Sequence, residues 1–364
     1  MEWWTIGRFA SASNLSPKAL RLYDELGLLP PARVDPVTGY RLYAPDQLER
    51  ARLVAWLRRL GMPLPRIRAV CGLDPGVVAG EVAAFWAQVE AETDARRELA
   101  AVLIGRLGGV APGGGGGLRI RYAVGSEVGL VRATNQDVAH ADPHLLAVAD
   151  GFGDRGAPVG SDVVRALADL AAGDRWRAGD LLGALQDAVR GANEAIARRA
   201  AGEGPGGPGV GPGTTLTALL WTGSALALVH IGDSRAYLAR DGGFFQLTQD
   251  HSLVQAMVDD GRLTVAEAVS HPQRALLLRA LDGAPESRPD VQVREPRPGD
   301  RYVLCSDGVS GVLPAGELCR LADPGVPPAD AVAGLLAAVR RAGAPDNASC
   351  VVADVTDRVA GVSR

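Results

Sequence analysis

Apolar positions recur in two rhythms along the chain. As far as about residue 107 they fall at helical spacing; from Leu118 onward they come in short strand-like runs. Ile6, Phe9 and Ala10 form a first helical stripe, followed by a tight "SASN" turn. Ser16 then stands as an N-cap with Pro17 at the first helical position, the stripe continues through Leu20, Tyr23 and Leu26, and Gly27 ends it. "RVDPVTGYRLY" (33–43) places two short β-prone arms around Asp-Pro and a glycine, the outline of a wing hairpin. Pro45-Asp46 opens another helix and "GMPLPRIRAV" a further one, so the opening reads as a winged helix-turn-helix. Residues 77–107 read as one long helix. Val82, Phe85, Val89, Leu99 and Leu103 lie near heptad spacing, interrupted by Glu92 and Arg96, which marks a dimerisation helix of modest quality.

"GGVAPGGGGGL" (108–118) is too rich in glycine to pack and reads as a linker. Beyond it, strands such as "LLAVA", "TLTALLW", "ALALVHI", "RYVLC" and "SCVVADV" surround helical stretches near 159–172, 177–201, 314–323 and 328–342. Strands in runs with tight turns argue for antiparallel sheets covered by helices. The expected domains are 1–76 (head), 77–107 (dimerisation helix), 108–118 (linker) and 119–356 (a second, α+β domain).

Charge divides the chain in the same place. Residues 1–70 carry eleven Arg and Lys against six acids, a balance of +5 within a total of −4, which leaves −9 for the remainder. A basic head on an acidic body implies a polyanionic partner for the head alone. The four cysteines lack metal-ligand spacing; Cys305 and Cys350 read as core residues, and Cys71 as filler before redox sensor. "MEWWTIGRF" is not a signal peptide, and the apolar run 216–231 is broken by Thr-Gly-Ser and reads as a hairpin. A cytoplasmic protein with no membrane partner is expected. "GPGVGPGTT" lacks the lysine that a phosphate-cradling loop needs, which excludes that chemistry.

The candidate chemistry is acidic. Asp137 in "RATNQD", Asp150-Gly151 in "LLAVADGFGD", Asp233 in "HIGDSRAY", Asp307-Gly308 in "YVLCSDGVSG" and Asp346-Asn347 lie mostly at the edges of strand-like runs. Carboxylates converging on one cleft repel one another unless cations neutralise them. Oxygen donors without histidine or cysteine select Mg²⁺ or Mn²⁺.

Residues 118–356 resemble the type-2C, or PPM, metal-dependent Ser/Thr protein phosphatases. The blocks "RATNQD", "VADGFGD", "GTTLTALL", "HIGDSRAYLARDG", "LTQDHSLVQAMVDDG", "HPQRALLLRAL", "YVLCSDGVSG" and "DNASCVVADV" run in the family's order. The resemblance implies a four-layer α-β-β-α sandwich with metals in a cleft at one edge. Carried over position by position, it implies that Asp150 bridges two metals while Gly151 offers its carbonyl. Asp307 and Asp346 would hold the first metal, and Asp137 would support the second through water. Asp233, with Asp307, would bind a third and weaker ion. Arg132 would grip the substrate phosphate as a fork. The implied reaction is hydrolysis of phosphoserine and phosphothreonine by a hydroxide bridging two Mn²⁺ or Mg²⁺ ions; Arg132 and Asp150 are the catalytic candidates. Gln136 stands where many members have Glu, Phe152 where some carry His, and Asp154 where Gly is usual. His251 and His271 read as structural hydrogen-bonding residues.

The head resembles the MerR family of winged helix-turn-helix regulators over "IGRFASASNLSPKALRLYDELGLLPPARVDPVTGYRLYAPDQL" and "LRRLGMPLPRIRAV". That implies double-stranded DNA as partner, a homodimer, and Lys18, Arg21, Tyr23, Arg41 and Tyr43 as contact candidates. Overall the chain reads as a multidomain protein, an all-α winged head joined to a phosphatase fold. The alternative is a regulator whose phosphatase-like domain is an inactive or weakly active sensor. A third reading, a head that docks a protein, is disfavoured by the basic charge and intact wing.

Overall fold

The computed structural model describes residues 3–107, 118–153, 156–173, 178–202, 211–221, 225–260 and 262–357. The glycine linker up to residue 117, and Asp154, lie outside them. Two compact units are present: residues 1–87 with 256–271, and residues 88–255 with 272–364. The segment 256–271, expected in the second domain, thus belongs to the first unit.

The head contains β1 (Trp4–Thr5), α1 (Ile6–Ser13), α2 (Pro17–Glu25), β2 (Arg33–Val34), β3 (Arg41–Tyr43), a 3₁₀ turn at Pro45–Gln47, α3 (Leu48–Arg59), α4 (Leu64–Val70) and the start of α5 (Pro75–Leu107). Ser16 caps α2 as expected, its Oγ accepting from the Ala19 N–H at 3.0 Å. Asn14 supplies the left-handed residue that closes α1, at φ 60°. The wing turns on Asp35, whose carboxylate accepts from the Val37 and Thr38 N–H groups at 2.9 Å each. The head is not purely helical: β1, from the aromatic N-terminus, pairs with β3 and extends the wing into a three-stranded sheet, β1-β3-β2. Phe9, Leu20, Tyr23, Tyr43, Val54 and Ile67 form its buried core.

The second unit carries β4 (Leu118–Glu127), β5 (Asp137–Ala141), β6 (Leu145–Phe152), α6 (Gly156–Ala171), α7 (Ala178–Gly202), β7 (Gly213–Thr214), β8 (Leu216–Trp221), β9 (Leu226–Ile231), β10 (Arg235–Arg240) and β11 (Gly243–Gln246). After α8 (Leu253–Asp259) and α9 (Val265–Val269) come β12 (Asp290–Arg294), β13 (Arg301–Cys305), α10 (Asp307–Ser310), α11 (Ala315–Leu321), α12 (Pro328–Arg341) and β14 (Ala348–Asp357). All pairings are antiparallel. One sheet runs β11-β10-β13-β14-β4; the other runs β12-β9-β8-β6-β5, with β7 attached to β6.

Three apolar layers hold these elements together. Leu146, Val148, Leu219, Leu228, Leu238, Leu304 and Val351 fill the space between the sheets. Val159, Val163 and Leu167 of α6 and Leu185 and Val189 of α7 cover the outer face of the second sheet. Leu335, Leu336 and Val339 of α12 cover the first. Each such side chain, fully buried, contributes roughly 1.5–3 kcal/mol. The result is the expected α-β-β-α sandwich. Strands β8 and β9 are buried at every position because both faces are covered, which is why they read as continuous apolar runs without alternation. Cys305 and Cys350 face each other across β13 and β14 as free thiols in the core, as expected.

Candidate functional site

Five strand-edge carboxylates arrive at one end of the two sheets. Asp137 opens β5 and pairs in register with Asp150 near the end of β6. Like charges directly opposite on neighbouring strands repel. Asp233 sits in the β9–β10 turn, Asp307 begins α10 directly after β13, and Asp346 lies in the loop that leads into β14.

Glycines make this convergence possible. A Cβ on Gly151 would lie 2.4 Å from the Gly156 backbone and 2.7 Å from the Gln136 carbonyl. A Cβ on Gly308 would lie 1.8 Å from the Asn347 carbonyl oxygen. Gly129 has φ +78° and would meet the Asp346 carbonyl at 2.2 Å. Each Asp-Gly pair therefore places the acid and leaves its neighbour bare, so that the chain bearing the next acid can pass within contact distance.

Burial and mutual repulsion raise four of these carboxyls above the usual carboxylate range. Burial, followed by the fields of Asp307 and Asp137, holds the Asp150 carboxyl well above the usual range. Asp137 is pushed up to about 6 chiefly by burial. Asp233 reaches about 8 through burial and the field of Asp307. Asp307 is raised mainly by burial, and its hydrogen bond with Asp150 opposes the rise. Asp150 and Asp307 thus titrate as a coupled pair, each raised by burial and by neighbouring acids. Ser306 Oγ donates to Asp137 Oδ2 at 2.7 Å, while Asp137 Oδ1 is buried with no hydrogen-bond partner. An orphaned buried carboxylate oxygen of this kind is what a cation, or a water on a cation, would satisfy. Among the described residues no three or more acidic, imidazole or thiol side chains are grouped closely enough to hold a metal ion by themselves. The donors fit small hard ions that keep much of their water shell, as Mg²⁺ and Mn²⁺ do beside one or two carboxylates.

Arg132 lies on the loop between β4 and β5, and its side chain is about half exposed. Its guanidinium meets Asp346 Oδ2 at 2.7 Å and feels the charges of Asp150 and Asp307. Asn347 braces this loop: its Oδ1 accepts from the Gln136 N–H at 2.9 Å, and its Nδ2 donates to the Val128 and Thr134 carbonyls at 2.9 Å each. Gln136 points its amide away from the acids and donates to the Gly153 carbonyl at 2.6 Å. Phe152 covers Gly213, where a Cβ would strike the ring at 2.3 Å. Thr215 Oγ1 accepts from the Asp150 N–H at 3.0 Å and meets Ser234 Oγ at 2.8 Å, which ties two acid-bearing segments together. Asn347 and Ser306 adjoin Asp346 and Asp307 in the sequence, the only signal of their role, and Thr215 carries none because it adjoins no acid.

In the head, Lys18 and Arg21 are exposed on α2, and Arg41 is half-buried with its Nε on Asp24 at 2.6 Å. Tyr23 and Tyr43 correct the expectation. Both are buried, and Tyr43 stacks on Phe9 with centroids 4.5 Å apart. Their rings build the core and cannot face DNA. The exposed aromatic of the wing is Tyr40, 69% accessible, beside exposed Arg33.

Comparison with known proteins matches two families to separate stretches of the chain. The model for MerR HTH family regulatory proteins matches residues 4–72, and that for protein phosphatase 2C matches residues 131–342. The serine/threonine protein phosphatase PstP of Mycobacterium tuberculosis is 49% identical over 244 residues, which cover 66% of this chain and 46% of that one. This chain therefore spans less than half the length of that relative. A crystal structure of the same phosphatase matches 65% of this chain and 99% of the solved one, at TM-score 0.61 and 45% identity. The PstP catalytic domain in complex with two manganese ions matches at TM-score 0.59 and 44% identity, covering 66% of this chain and all of that one. With the protein phosphatase 2C model spanning more than half of its residues, on a sandwich that gathers its acids at one edge, this chain belongs to the protein phosphatase 2C family and carries a MerR-like helix-turn-helix at its head.

Proposed function

We propose that this chain hydrolyses phosphoserine and phosphothreonine in proteins with the help of Mn²⁺ or Mg²⁺, and that its head (1–76) carries the 119–356 phosphatase segment to double-stranded DNA. The observation that carries the reading is the set of buried, mutually repelling carboxyls at one sheet edge, with an orphaned oxygen among them. Asp150 would lie between two ions with the Gly151 carbonyl beside it, Asp307 and Asp346 would hold the first, and Asp137 would support the second through water. Asp233 and Asp307 are the pair for a third ion. Bound divalent ions would supply Lewis acidity and bring the pKa of a water towards neutrality.

The residues of the chain do the rest. Arg132, about half exposed, would exchange Asp346 for two phosphoryl oxygens, one anion for another. As a ligand Asp150 would be ionised, because a ligating carboxylate is deprotonated. Asn347 and Thr215 hold the loop and strand end, so that little reorganisation accompanies binding. The Gln136 amide braces Gly153 and takes no part in holding an ion.

The test is hydrolysis of p-nitrophenyl phosphate and of a phosphothreonine peptide with Mn²⁺. Asp150→Ala and Asp307→Ala should each lower the rate about a hundredfold or more, the scale on which electrostatic catalytic groups act. Equal rates in wild type and variants would remove the enzyme and leave a regulator with a sensor domain. For the head, we infer that Lys18 and Arg21 meet the major groove, with Arg41, Arg33 and Tyr40 near the backbone as a cytoplasmic homodimer binds a two-fold site. Gel shift on genomic fragments should show weaker binding by Arg21→Ala; unchanged binding would displace α2 from the groove.

A further inference from the structure

His251 stands outside the acidic cluster, yet both polar ends of its neighbour Gly232 terminate on it. The His251 backbone N–H donates to the Gly232 carbonyl at 2.7 Å, and its ring Nδ1 accepts from the Gly232 N–H at 3.1 Å. Gly232 is the residue before Asp233. It has φ +110°, and a Cβ there would fall 2.5 Å from Thr215, so the turn sits in a conformation that only glycine adopts easily.

The ring is itself fixed. Because Nδ1 accepts, Nε2 carries the proton and donates to Asp290 Oδ2 at 3.1 Å. Arg279 packs Nη1 2.8 Å from Nε2 and donates through Nη2 to Asp290 Oδ1 at 2.8 Å, so that Asp290 accepts from both side chains. The face of His251 rests on His230, centroids 4.7 Å apart. His230 pairs through Nδ1 with Thr217 Oγ1 at 3.0 Å, and Thr217 donates to the Ser234 carbonyl at 2.8 Å. Thus Gly232 is gripped by His251 and Ser234 by Thr217, and Asp233 lies between them.

We propose that His251 is a positioning residue: it clamps the Gly232–Ser234 turn and so fixes the reach of the Asp233 carboxylate towards the cation it shares with Asp307. The proposal rests on the reading of Asp233 as a ligand given under Proposed function. Its chemistry is specific, since the clamp requires an acceptor at the Nδ1 position, whereas a merely space-filling role would need only a polar side chain of similar size.

Two variants separate these roles. In His251→Asn the amide oxygen can take the Nδ1 position and accept from Gly232. In His251→Gln the amide lies one carbon further out, towards Asp290, and leaves the Gly232 N–H without its acceptor. Mn²⁺ binding to the full chain is followed by the electron paramagnetic resonance of free Mn²⁺, with no substrate present. Residues that orient metal ligands typically govern affinity about 10–100-fold. His251→Gln should therefore weaken the lowest-affinity Mn²⁺ site about tenfold or more and leave the tighter sites unchanged, with His251→Asn close to wild type. In an Asp233→Asn background, His251→Gln should have no further effect on Mn²⁺ binding. The proposal is overturned if Gln and Asn variants bind Mn²⁺ alike, or if the Gln effect persists without Asp233. A wild-type chain that binds no Mn²⁺ overturns the metal reading itself, a result distinct from either.

Discussion

Two regions of the sandwich bury charge, and they treat it in opposite ways. Arg301 is wholly buried, yet its Nε and Nη2 meet the two oxygens of Asp354 at 2.6 and 2.8 Å, and its remaining donors reach the Asp323 and Val326 carbonyls at 2.6 Å each. Arg240 forks onto Asp300 in the same manner, at 2.7 Å on each oxygen. At the sheet edge Asp137, Asp150, Asp233 and Asp307 act on one another's charge, while Arg132 bonds Asp346. The fold evidently can build a guanidinium partner for a buried carboxylate. Where it leaves carboxylates to raise each other's pKa, the neutralising charge must come from a ligand.

The widest expected effect lies on the paired side. Removing one partner strands the other charge in the interior, which costs about 3–5 kcal/mol. Asp354→Ala should lower the urea midpoint accordingly, because Arg301 keeps its two carbonyl acceptors but loses its only carboxylate. A loss below about 1 kcal/mol would mean that water reaches this site and that burial does not separate the two regions.

On the unpaired side the expectation is reversed: adding an ion should stabilise. Mn²⁺ at about a hundredfold over its dissociation constant adds about 2.7 kcal/mol to a fold that alone binds it. The pH dependence follows from the raised carboxyls. Asp137 titrates at about 6 and Asp233 at about 8 in the folded metal-free chain, against 3.8 ordinarily. The folded state therefore holds more protons than the unfolded one between about pH 4 and pH 8, so metal-free stability falls as pH rises through that window. Ions displace those protons. Thermal melts with Mn²⁺ and with chelator should accordingly diverge more at about pH 8 than at about pH 6. A gap that is constant, or that narrows with pH, would place the cation elsewhere.

The same contrast explains what the sequence made legible. Each acid of the cleft could be picked out because it ends or begins an apolar run, and Asp-Gly marks a strand end about to be crossed by another chain segment. The head was legible for a local reason: Ser16, Pro17 and Gly27 cap and stop α2 within a few residues of one another. The paired arginines were not. Arg301 and Asp354 are 53 residues apart and meet only because β13 pairs with β14 in one register. The burial of Tyr43 is not legible in the sequence, because a two-residue alternation does not say which face of a short wing turns inward; its stacking on Phe9 decides that. The three-stranded head sheet was invisible for a similar reason, since β1 contributes only Trp4 and Thr5.

The smallest effect tests whether distance or burial makes a pair matter. Arg97 and Asp94 on α5 meet at 2.6 Å, the same separation as Arg301 and Asp354. Their side chains are 73% and 41% exposed, where those of Arg301 and Asp354 are 0% and 20%. Water solvates the α5 pair whether or not it forms, and two long side chains lose rotamer freedom by forming it, so these terms nearly cancel. Arg97→Ala should therefore change stability by less than about 0.5 kcal/mol, several-fold less than Asp354→Ala. The two variants measured side by side by urea denaturation compare an exposed pair with a buried fork at the same shortest contact distance. Equal losses would make charge contact itself the stabilising term, and the bare carboxylates of the cleft would then be no more in need of a cation than any acid on the surface.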